Sequence, residues 1–337
     1  MATPIDPAPL CEAAEKEIAD GLAGCQLALG CEGEVAWTQS FGVAESTTRF
    51  PVASATKPIV ASAVWLLMGE GRIDVRRPVV DYVPEFCGDG KEAVTVEQVL
   101  LMTCGFPHAS MRPAEGADAA RRIARLARWE LEYEPGTRYV YHGGSAHWVL
   151  AELIERQSGL DFRDFIEEHI TRPLGLPRLL GIPRAEQLGI VPLSVPEARR
   201  EGFDPVASIE AGVPGGGGVM TAETLARFYQ ALVHNPGELW RPDVLADATG
   251  NVRCTLRDPL MNLPANRTLG VVVGAGFGTT WGRSPTAFGW PGAGGQIGFA
   301  EPATGLSFAF LQTGDSDEVS HFARGIRFSN LALQLGH

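Results

Sequence analysis

The sequence predicts an α/β domain built from both ends of the chain, combined with an all-α domain inserted between them. Two observations lead to this fold class. Strand-like runs lie near the amino terminus and again after Pro264, where Gly and Pro turns separate them. Between these ends apolar residues recur mostly at helical spacing. At about 150 residues per domain, 337 residues suit two domains, which we place at 1–73 with 264–337, and at 74–263.

The amino-terminal part reads as a helix followed by a hairpin and a second helix. Apolar spacing predicts the first helix over Leu10–Leu22, and two short strands over Gln26–Leu29 and Glu34–Gln39. The second helix runs over Pro58–Glu70 and stops at Gly71, a residue type that commonly ends helices.

The rest of the chain continues this pattern with helices first and strands later. Predicted helices cover Thr95–Met102, Asp118–Trp129, His147–Gln157, Phe162–Ile170 and Ala222–His234. Predicted strands cover Leu269–Val273, Ala287–Trp290, Gln296–Ala300 and Leu306–Gln312, before a last helix over Glu318–Leu335. Because the strands come from both chain ends, we expect them to share one sheet.

Composition excludes several classes of function. A formal net charge of -12 argues against nucleic acid as a partner, because phosphate binding needs clustered Lys and Arg. No apolar run approaches the ~20 residues that span a bilayer, and the first residues lack a basic segment followed by a long apolar one. We therefore expect a cytoplasmic protein without membrane contact, and the sequence gives no indication of its oligomeric state.

Cysteine and histidine spacing predicts neither a metal nor a cofactor. The six cysteines show no C-x-x-C pairing and are expected to be small buried hydrophobes, and the seven histidines form no H-E-x-x-H motif. No G-x-S-x-G elbow occurs either, which argues against an α/β-hydrolase. Cys104, without a recognisable histidine partner in sequence, is interpreted as a packing residue.

The segment ASATKP points to a nucleophile. Pro58 cannot lie deep in a helix, so the helix must begin near Ser54, at the positive end of its dipole. Lys57, at i+3, then lies on the same face as the Ser54 hydroxyl. A neutral amine there could accept the serine proton, provided that its pKa falls far below ~10.4. A capping serine beside a solvated lysine is the alternative, but the chain has only three lysines, so a chance S-x-x-K is uncommon.

The surrounding segment, FPVASATKPIVASAVWLLMGEGRIDVRRPVVDYVPEF, resembles the nucleophile region of the serine β-lactamase and penicillin-binding-protein superfamily. It is most similar to the class C and family VIII carboxylesterase branch. The likeness continues through TVEQVLLMTCGFPH, PGTRYVYHGG, GVPGGGGVMTAETLARF and FGWPGAGGQIGFAEPATG. The resemblance implies a β-lactamase-like fold, in which helices flank an antiparallel sheet, and an acyl-enzyme mechanism at the interface of two domains.

The resemblance also assigns a catalytic tyrosine. Relatives carry Tyr-x-Asn where this chain has Tyr141-His142-Gly143, so Tyr141 is the expected proton relay, and Tyr139 is the packing alternative. Gly143, a predicted substrate-binding position, lacks the amide that lactam-processing relatives use. His142 is interpreted as an incidental residue of an exposed loop.

The third element of the resemblance is Trp290-Pro291-Gly292, where relatives carry Lys-Thr-Gly or His-x-Gly. Trp290 stands in place of the cation that would hold a substrate carboxylate, and it is expected to bind substrate together with Gly292. By position, the N–H groups of Ser54 and Ala293 are expected to form an oxyanion hole. The run PGGGGVM resembles a loop near the site, although it could equally be only a tight connection.

These motifs together predict a carboxylesterase that cleaves small to medium acyl esters through an acyl-Ser54 intermediate. An acyltransferase with an alcohol or amine acceptor is the alternative within this fold. A β-lactamase or D-peptidase is disfavoured by Gly143, Trp290 and the absence of an export signal. A catalytically silent binding protein is the non-enzyme alternative, against which the intact Ser54, Lys57 and Tyr141 argue.

Overall fold

The structure is a computed structural model that describes residues 6–194, 204–276, 281–314 and 317–336. Its helices are α1 Ala8–Ala19, α2 Lys57–Gly69, α3 Val96–Leu101, α4 Pro113–Gly116, α5 Ala119–Leu126, α6 Ala146–Ser158, α7 Phe162–Ile166, α8 Pro205–Glu210, α9 Ala222–His234, α10 Pro242–Gly250 and α11 Glu318–Gln334. Its strands are β1 Gly24–Cys31, β2 Glu34–Gly42, β3 Phe50–Pro51, β4 Val219–Met220, β5 Val272–Val273, β6 Phe288–Gly292, β7 Gln296–Glu301 and β8 Leu306–Thr313.

One antiparallel sheet joins the two ends of the chain. Its strand order is β2-β1-β8-β7-β6-β5, so β1 from the amino-terminal part pairs directly with β8 from the carboxyl-terminal part. Both chain ends therefore build a single sheet, as the sequence predicts. A separate two-stranded pair, β3 with β4, ties the segment before Ser54 to the glycine-rich segment 214–218.

Helices cover both faces of this sheet, which explains why β1 and β8 are buried along almost their whole length. On one face, α1 and α11 pack on alternate residues such as Leu27 and Phe310, and Phe310 stacks on Phe328 with 4.4 Å between ring centroids. On the opposite face, α9 packs against β1, β7 and β8. Burying apolar side chains on both faces is what stabilises such a layered fold.

The mainly helical part surrounds α2 and α6, which pack against each other. The division at residues 73 and 264 stays a prediction. Helix α9 falls in the predicted helical domain, yet it packs on the sheet, because its face carrying Leu225 and Tyr229 is apolar. Among the described residues, no helix combines the length and the apolar character needed to cross a bilayer.

The element bounds differ from the predicted ones mainly at their ends. The helix predicted over Phe162–Ile170 is α-helical only to Ile166 and continues as a π-helical turn over Glu167–Thr171. The strand predicted over Leu269–Val273 is reduced to Val272–Val273. All six cysteines are free thiols, and the expectation that they are buried is wrong for Cys87, which is exposed, and for Cys11 and Cys31, which are only partly buried.

Replacing Phe328 in α11 tests the packing of this helix on the sheet. Phe328 is fully buried, so Phe328→Ala removes its ring and leaves a cavity, which should lower the free energy of unfolding by roughly 3–5 kcal/mol. Phe322 lies on the same helix but is 40% exposed, so Phe322→Ala should change stability by no more than about 0.5 kcal/mol. Urea unfolding followed by circular dichroism measures both. Equal losses would contradict the packing of α11 described here.

Candidate active site

Ser54 lies in a short helical turn that leads directly into α2. The 3-10 turn covers Ala53–Thr56 and α2 starts at Lys57, with Pro58 in its first turn, as the proline argument requires. Ala53 has a φ of 46°, a left-handed conformation that is costly for a residue other than glycine. The Thr56 hydroxyl donates to the Ala53 carbonyl at 2.6 Å, which holds this turn in place.

Lys57 is fully buried, and its amine is surrounded by polar atoms. The Nζ atom lies 3.1 Å from Ser54 Oγ, 3.2 Å from the Gly143 carbonyl oxygen and 2.5 Å from the Gly215 carbonyl oxygen. Burial lowers the pKa of Lys57, because the charged ammonium loses its hydration. Ser54, by contrast, is partly exposed and is therefore within reach of a substrate.

Tyr141 approaches Ser54 from the other side. Its hydroxyl lies 2.7 Å from Ser54 Oγ, and the Lys57 Nζ atom lies 5.2 Å from the centre of its ring. Burial alone would raise the pKa of Tyr141, but the positive charge of Lys57 and hydrogen bonds with Ser54 and Lys57 outweigh burial and lower it. The structure thus brings the three predicted catalytic residues together around one oxygen atom.

Two glycines serve the site through their backbones. Gly143 and Gly215 each present a carbonyl to Lys57, so the segment PGGGGVM is part of the site and not only a connection. A Cβ atom at Gly215 would lie 3.0 Å from the Gly143 oxygen and 3.3 Å from Lys57 Nζ, which leaves little room for a side chain. A Cβ atom at Gly143 would lie 3.1 Å from the ring of Tyr141. Whether Gly143 also binds substrate stays a prediction.

The end of β6 lies against the nucleophile turn. A Cβ atom at Gly292 would collide with the carbonyl oxygen of Val52 and lie 3.3 Å from the backbone nitrogen of Ala55. Only a glycine allows this close approach of the two backbones. Ala293 follows directly, in the turn between β6 and β7, next to the segment that carries Ser54. The oxyanion hole and a substrate contact of Gly292 stay predictions.

Trp290 lies behind the site instead of at its surface. Its side chain is fully buried, its ring centre lies 6.2 Å from that of Tyr141, and the Arg267 guanidinium carbon lies 3.9 Å from the ring centre. Arg267 also donates to the hydroxyl of Tyr139. Direct contact of Trp290 with substrate stays a prediction, and the described side chain has no exposed surface to make one.

Arg267 is a site residue that the sequence motifs did not reveal. It is fully buried, and its positive charge lowers the pKa of both Lys57 and Tyr141. In both cases its effect is smaller than that of burial and of the Lys57–Tyr141 interaction. Arg267 stands 210 residues after Lys57 in a segment without a recognised motif, so only the folded structure brings it to the site.

His142 corrects one expectation from the sequence. It is not exposed but fully buried: its Nε2 atom accepts from the Phe106 N–H at 3.1 Å, and its Nδ1 atom donates to the Val140 carbonyl at 2.6 Å. These partners require a neutral ring, and burial lowers the pKa of His142 to about 4. His142 therefore ties the segment of Tyr141 to the segment that follows α3.

Other candidate chemistries find no support in the site. Cys104 is buried in the apolar core, and burial raises the pKa of its thiol well above the ordinary value, as expected for a packing residue. Across ranges 6–194, 204–276, 281–314 and 317–336, no group of three or more His, Cys, Asp or Glu side chains is arranged to hold a metal ion.

The buried His142 should make stability depend on pH. The unfolded chain binds a proton at His142 below about pH 6.5, whereas the folded protein does so only near pH 4. Stability should thus fall by roughly 3 kcal/mol as the pH drops from 6.5 to 4. In His142→Gln this part of the loss should disappear, while His234→Gln, at the exposed end of α9, should behave as wild type. Urea unfolding at several pH values measures the difference, and identical profiles for both variants would contradict this account.

Comparison with known proteins agrees with the fold. The chain is 28% identical over 302 residues to the esterase/beta-lactamase LipL of Mycobacterium tuberculosis, covering 77% of this chain and 68% of LipL. It is 27% identical over 347 residues to the esterase EstB of Burkholderia gladioli, covering 86% of each. A crystal structure of a family VIII carboxylesterase superposes with a TM-score of 0.84 at 25% identity, covering 99% of both chains. The beta-lactamase family model matches residues 12–328, so this chain belongs to the beta-lactamase family.

Proposed function

We propose that this protein is a serine carboxylesterase that cleaves small to medium acyl esters through an acyl-Ser54 intermediate. The observation that carries the proposal is the placement of Ser54 Oγ within hydrogen-bond distance of both Lys57 Nζ, at 3.1 Å, and the Tyr141 hydroxyl, at 2.7 Å. The similarity to proteins named esterases and to a family VIII carboxylesterase supports it further. A cytoplasmic location and the absence of a cofactor stay predictions from the sequence.

The contacts of Lys57 suit a general base. A neutral amine has two N–H bonds, which the carbonyls of Gly143 and Gly215 accept, and one lone pair, which is then left to face Ser54 Oγ. Burial favours this neutral form over the ammonium. In the first step the proton of Ser54 moves to Lys57 as Ser54 Oγ attacks the ester carbonyl carbon.

Tyr141 and the turn after β6 complete the reaction. The negative oxygen of the tetrahedral intermediate is held by the N–H groups of Ser54 and Ala293. As the intermediate collapses, the Tyr141 hydroxyl gives its proton to the leaving alkoxide and regains one from Lys57. Water then attacks the acyl carbon while the same pair takes its proton, and the pair returns that proton to Ser54 Oγ as the acyl–oxygen bond breaks and the carboxylic acid leaves.

The preference for a neutral ester rests on Trp290. Lactam-processing relatives use a cation at this position to hold a substrate carboxylate, and an indole offers no charge for that purpose. The missing amide at Gly143 points in the same direction. Both residues therefore favour an ester without a carboxylate over a β-lactam or a D-peptide.

Labelling of Ser54 tests the nucleophile. After incubation with a fluorophosphonate, intact-mass analysis should find one adduct on the wild type and none on Ser54→Ala, because only an activated serine attacks the phosphorus. The same variant should lose hydrolysis of p-nitrophenyl butyrate while keeping its circular dichroism spectrum.

Retained hydrolysis in Ser54→Ala would refute the proposal, and absence of any adduct on folded wild type would favour a binding protein. If an alcohol is added and product analysis finds the acyl group on that alcohol, the protein is an acyltransferase.

Two neighbouring tyrosines separate proton relay from packing. In steady-state kinetics on ethyl butyrate, whose leaving ethoxide needs a proton, Tyr141→Phe should lower kcat roughly 100- to 10,000-fold, because the leaving group loses its proton donor. Tyr139→Phe should lower it less than about tenfold, since the Tyr139 hydroxyl accepts from Arg267 and not from Ser54. Equal effects would argue against the relay.

The pH profile gives a second measure of the same pair. In the wild type, kcat/KM should rise with pH along one limb as the Lys57–Tyr141 pair loses a proton, with an apparent pKa below the ordinary values of both groups. Tyr141→Phe should shift this limb, and Tyr139→Phe should leave it in place. Steady-state kinetics on p-nitrophenyl butyrate between about pH 5 and 10 measures the profiles of all three proteins.

A further inference from the structure

A chain of buried polar side chains connects the outer helices to the turn that contains Ala293. In α11, Arg324 donates from Nε to Glu17 of α1 at 2.7 Å and from Nη1 to Gln312 Oε1 at 2.6 Å. Gln312, in β8, donates from Nε2 to the Gly294 carbonyl at 3.0 Å. All three side chains are at least nine-tenths buried, so these bonds are shielded from water.

The Arg324 contact determines which way the Gln312 amide points. Because a guanidinium only donates, it can face only the oxygen of the amide, and the Nε2 atom must then face the turn. Glu17 balances the buried charge of Arg324, and it also accepts from Arg327. The donor that holds the Gly294 carbonyl is therefore fixed in orientation by an ion pair between the first and last helices.

The turn itself is built to receive this amide. Gly294 and Gly295 have φ values of 78° and 77°, and a Cβ atom at Gly295 would collide with the Gln312 side chain. Gln296, at the start of β7, also contacts the Gly294 carbonyl, at 3.4 Å, and exchanges hydrogen bonds with the Gln312 backbone. Two glutamine amides thus converge on one carbonyl, one residue after Ala293.

We propose that Gln312, oriented by Arg324, is a positioning residue that holds the Ala293 N–H in the oxyanion hole. The inference rests on the proposed acyl-Ser54 mechanism and deepens it. Glycines at positive φ leave the turn many alternative conformations, and an oxyanion donor works only if its direction is fixed before the charge develops. The amide of Gln312 restricts those conformations without touching the substrate.

A buried glutamine in α9 provides a matched control. Gln230 is as buried as Gln312, and its amide likewise donates to a glycine carbonyl, that of Gly305, at 2.9 Å, while its oxygen accepts from the Gly33 N–H at 2.9 Å. These partners lie in the β1–β2 and β7–β8 turns, away from Ser54. Both Gln230→Leu and Gln312→Leu remove a buried amide that donates to a glycine carbonyl, but only Gln312→Leu loosens the turn of Ala293.

The experiment compares both variants on p-nitrophenyl butyrate. Gln312→Leu should lower kcat roughly 10- to 100-fold with KM within about threefold, because the loss acts on the transition state. Its affinity for phenylboronic acid, whose tetrahedral adduct on Ser54 places an oxygen in the hole, should fall by a similar factor. The acidic limb of the pH profile should not move, since Lys57 and Tyr141 are unchanged. Gln230→Leu should keep wild-type values in all three measurements.

The outcomes separate this inference from the proposed function. The positioning role would be overturned if kcat and boronate affinity were equal in both variants, or if Gln312→Leu changed only KM. Ser54-dependent hydrolysis by the wild type, and with it the proposed function, would still stand. Hydrolysis that survives in Ser54→Ala would overturn both. Where Gln312→Leu does not fold, Arg324→Lys decides by the same measurements, because it keeps the charge beside Glu17 but shortens the reach to Gln312.

Discussion

The chemistry of this site depends on a lysine amine placed where water cannot solvate its charge. Lys57 is fully buried in the first turn of α2, and its nearest acceptors are two backbone carbonyls and the Ser54 hydroxyl. Carbonyls satisfy the N–H bonds of an amine without adding the negative charge that would stabilise an ammonium. The site thus keeps the amine hydrogen-bonded and still favours its neutral form.

A positively charged side chain near Lys57 also affects its protonation. Arg267 is a buried cation that lies over the ring of Trp290 and donates to the hydroxyl of Tyr139. Its positive charge adds to the effect of burial in making protonation of Lys57 less favourable, which suits a base, and by lowering the pKa of Tyr141 it makes the phenol a stronger proton donor. The aromatic face of Trp290 provides a favourable environment for that cation.

The sequence predicted those parts of the molecule that depend on local spacing. Ser54 and Lys57 were found because i+3 spacing and Pro58 fix their relation within one turn. Tyr141 was found only through resemblance, since 87 residues separate it from Ser54 and no periodicity relates the two.

The residues that were missed act through backbone atoms or over long separations. Gly215 contributes only its carbonyl, which no side-chain pattern can reveal, and Arg267 reaches the site through tertiary packing alone. The glycines after His142 favour an exposed loop, whereas its buried position depends on a hydrogen bond from the Phe106 N–H, 36 residues earlier in the chain.

The position of Gly143 limits how this active site could acquire lactam chemistry. Relatives that process lactams carry an amide side chain there, but in this chain any side chain at Gly143 begins 3.1 Å from the ring of Tyr141. The hydroxyl of that tyrosine already bonds with Ser54 Oγ, and Lys57 Nζ lies 5.2 Å from the centre of its ring. Adding the amide by substitution therefore requires the Tyr141 ring to move by a few tenths of an ångström, so an evolutionary or engineered route between the two activities has to adjust the position of Tyr141 together with residue 143.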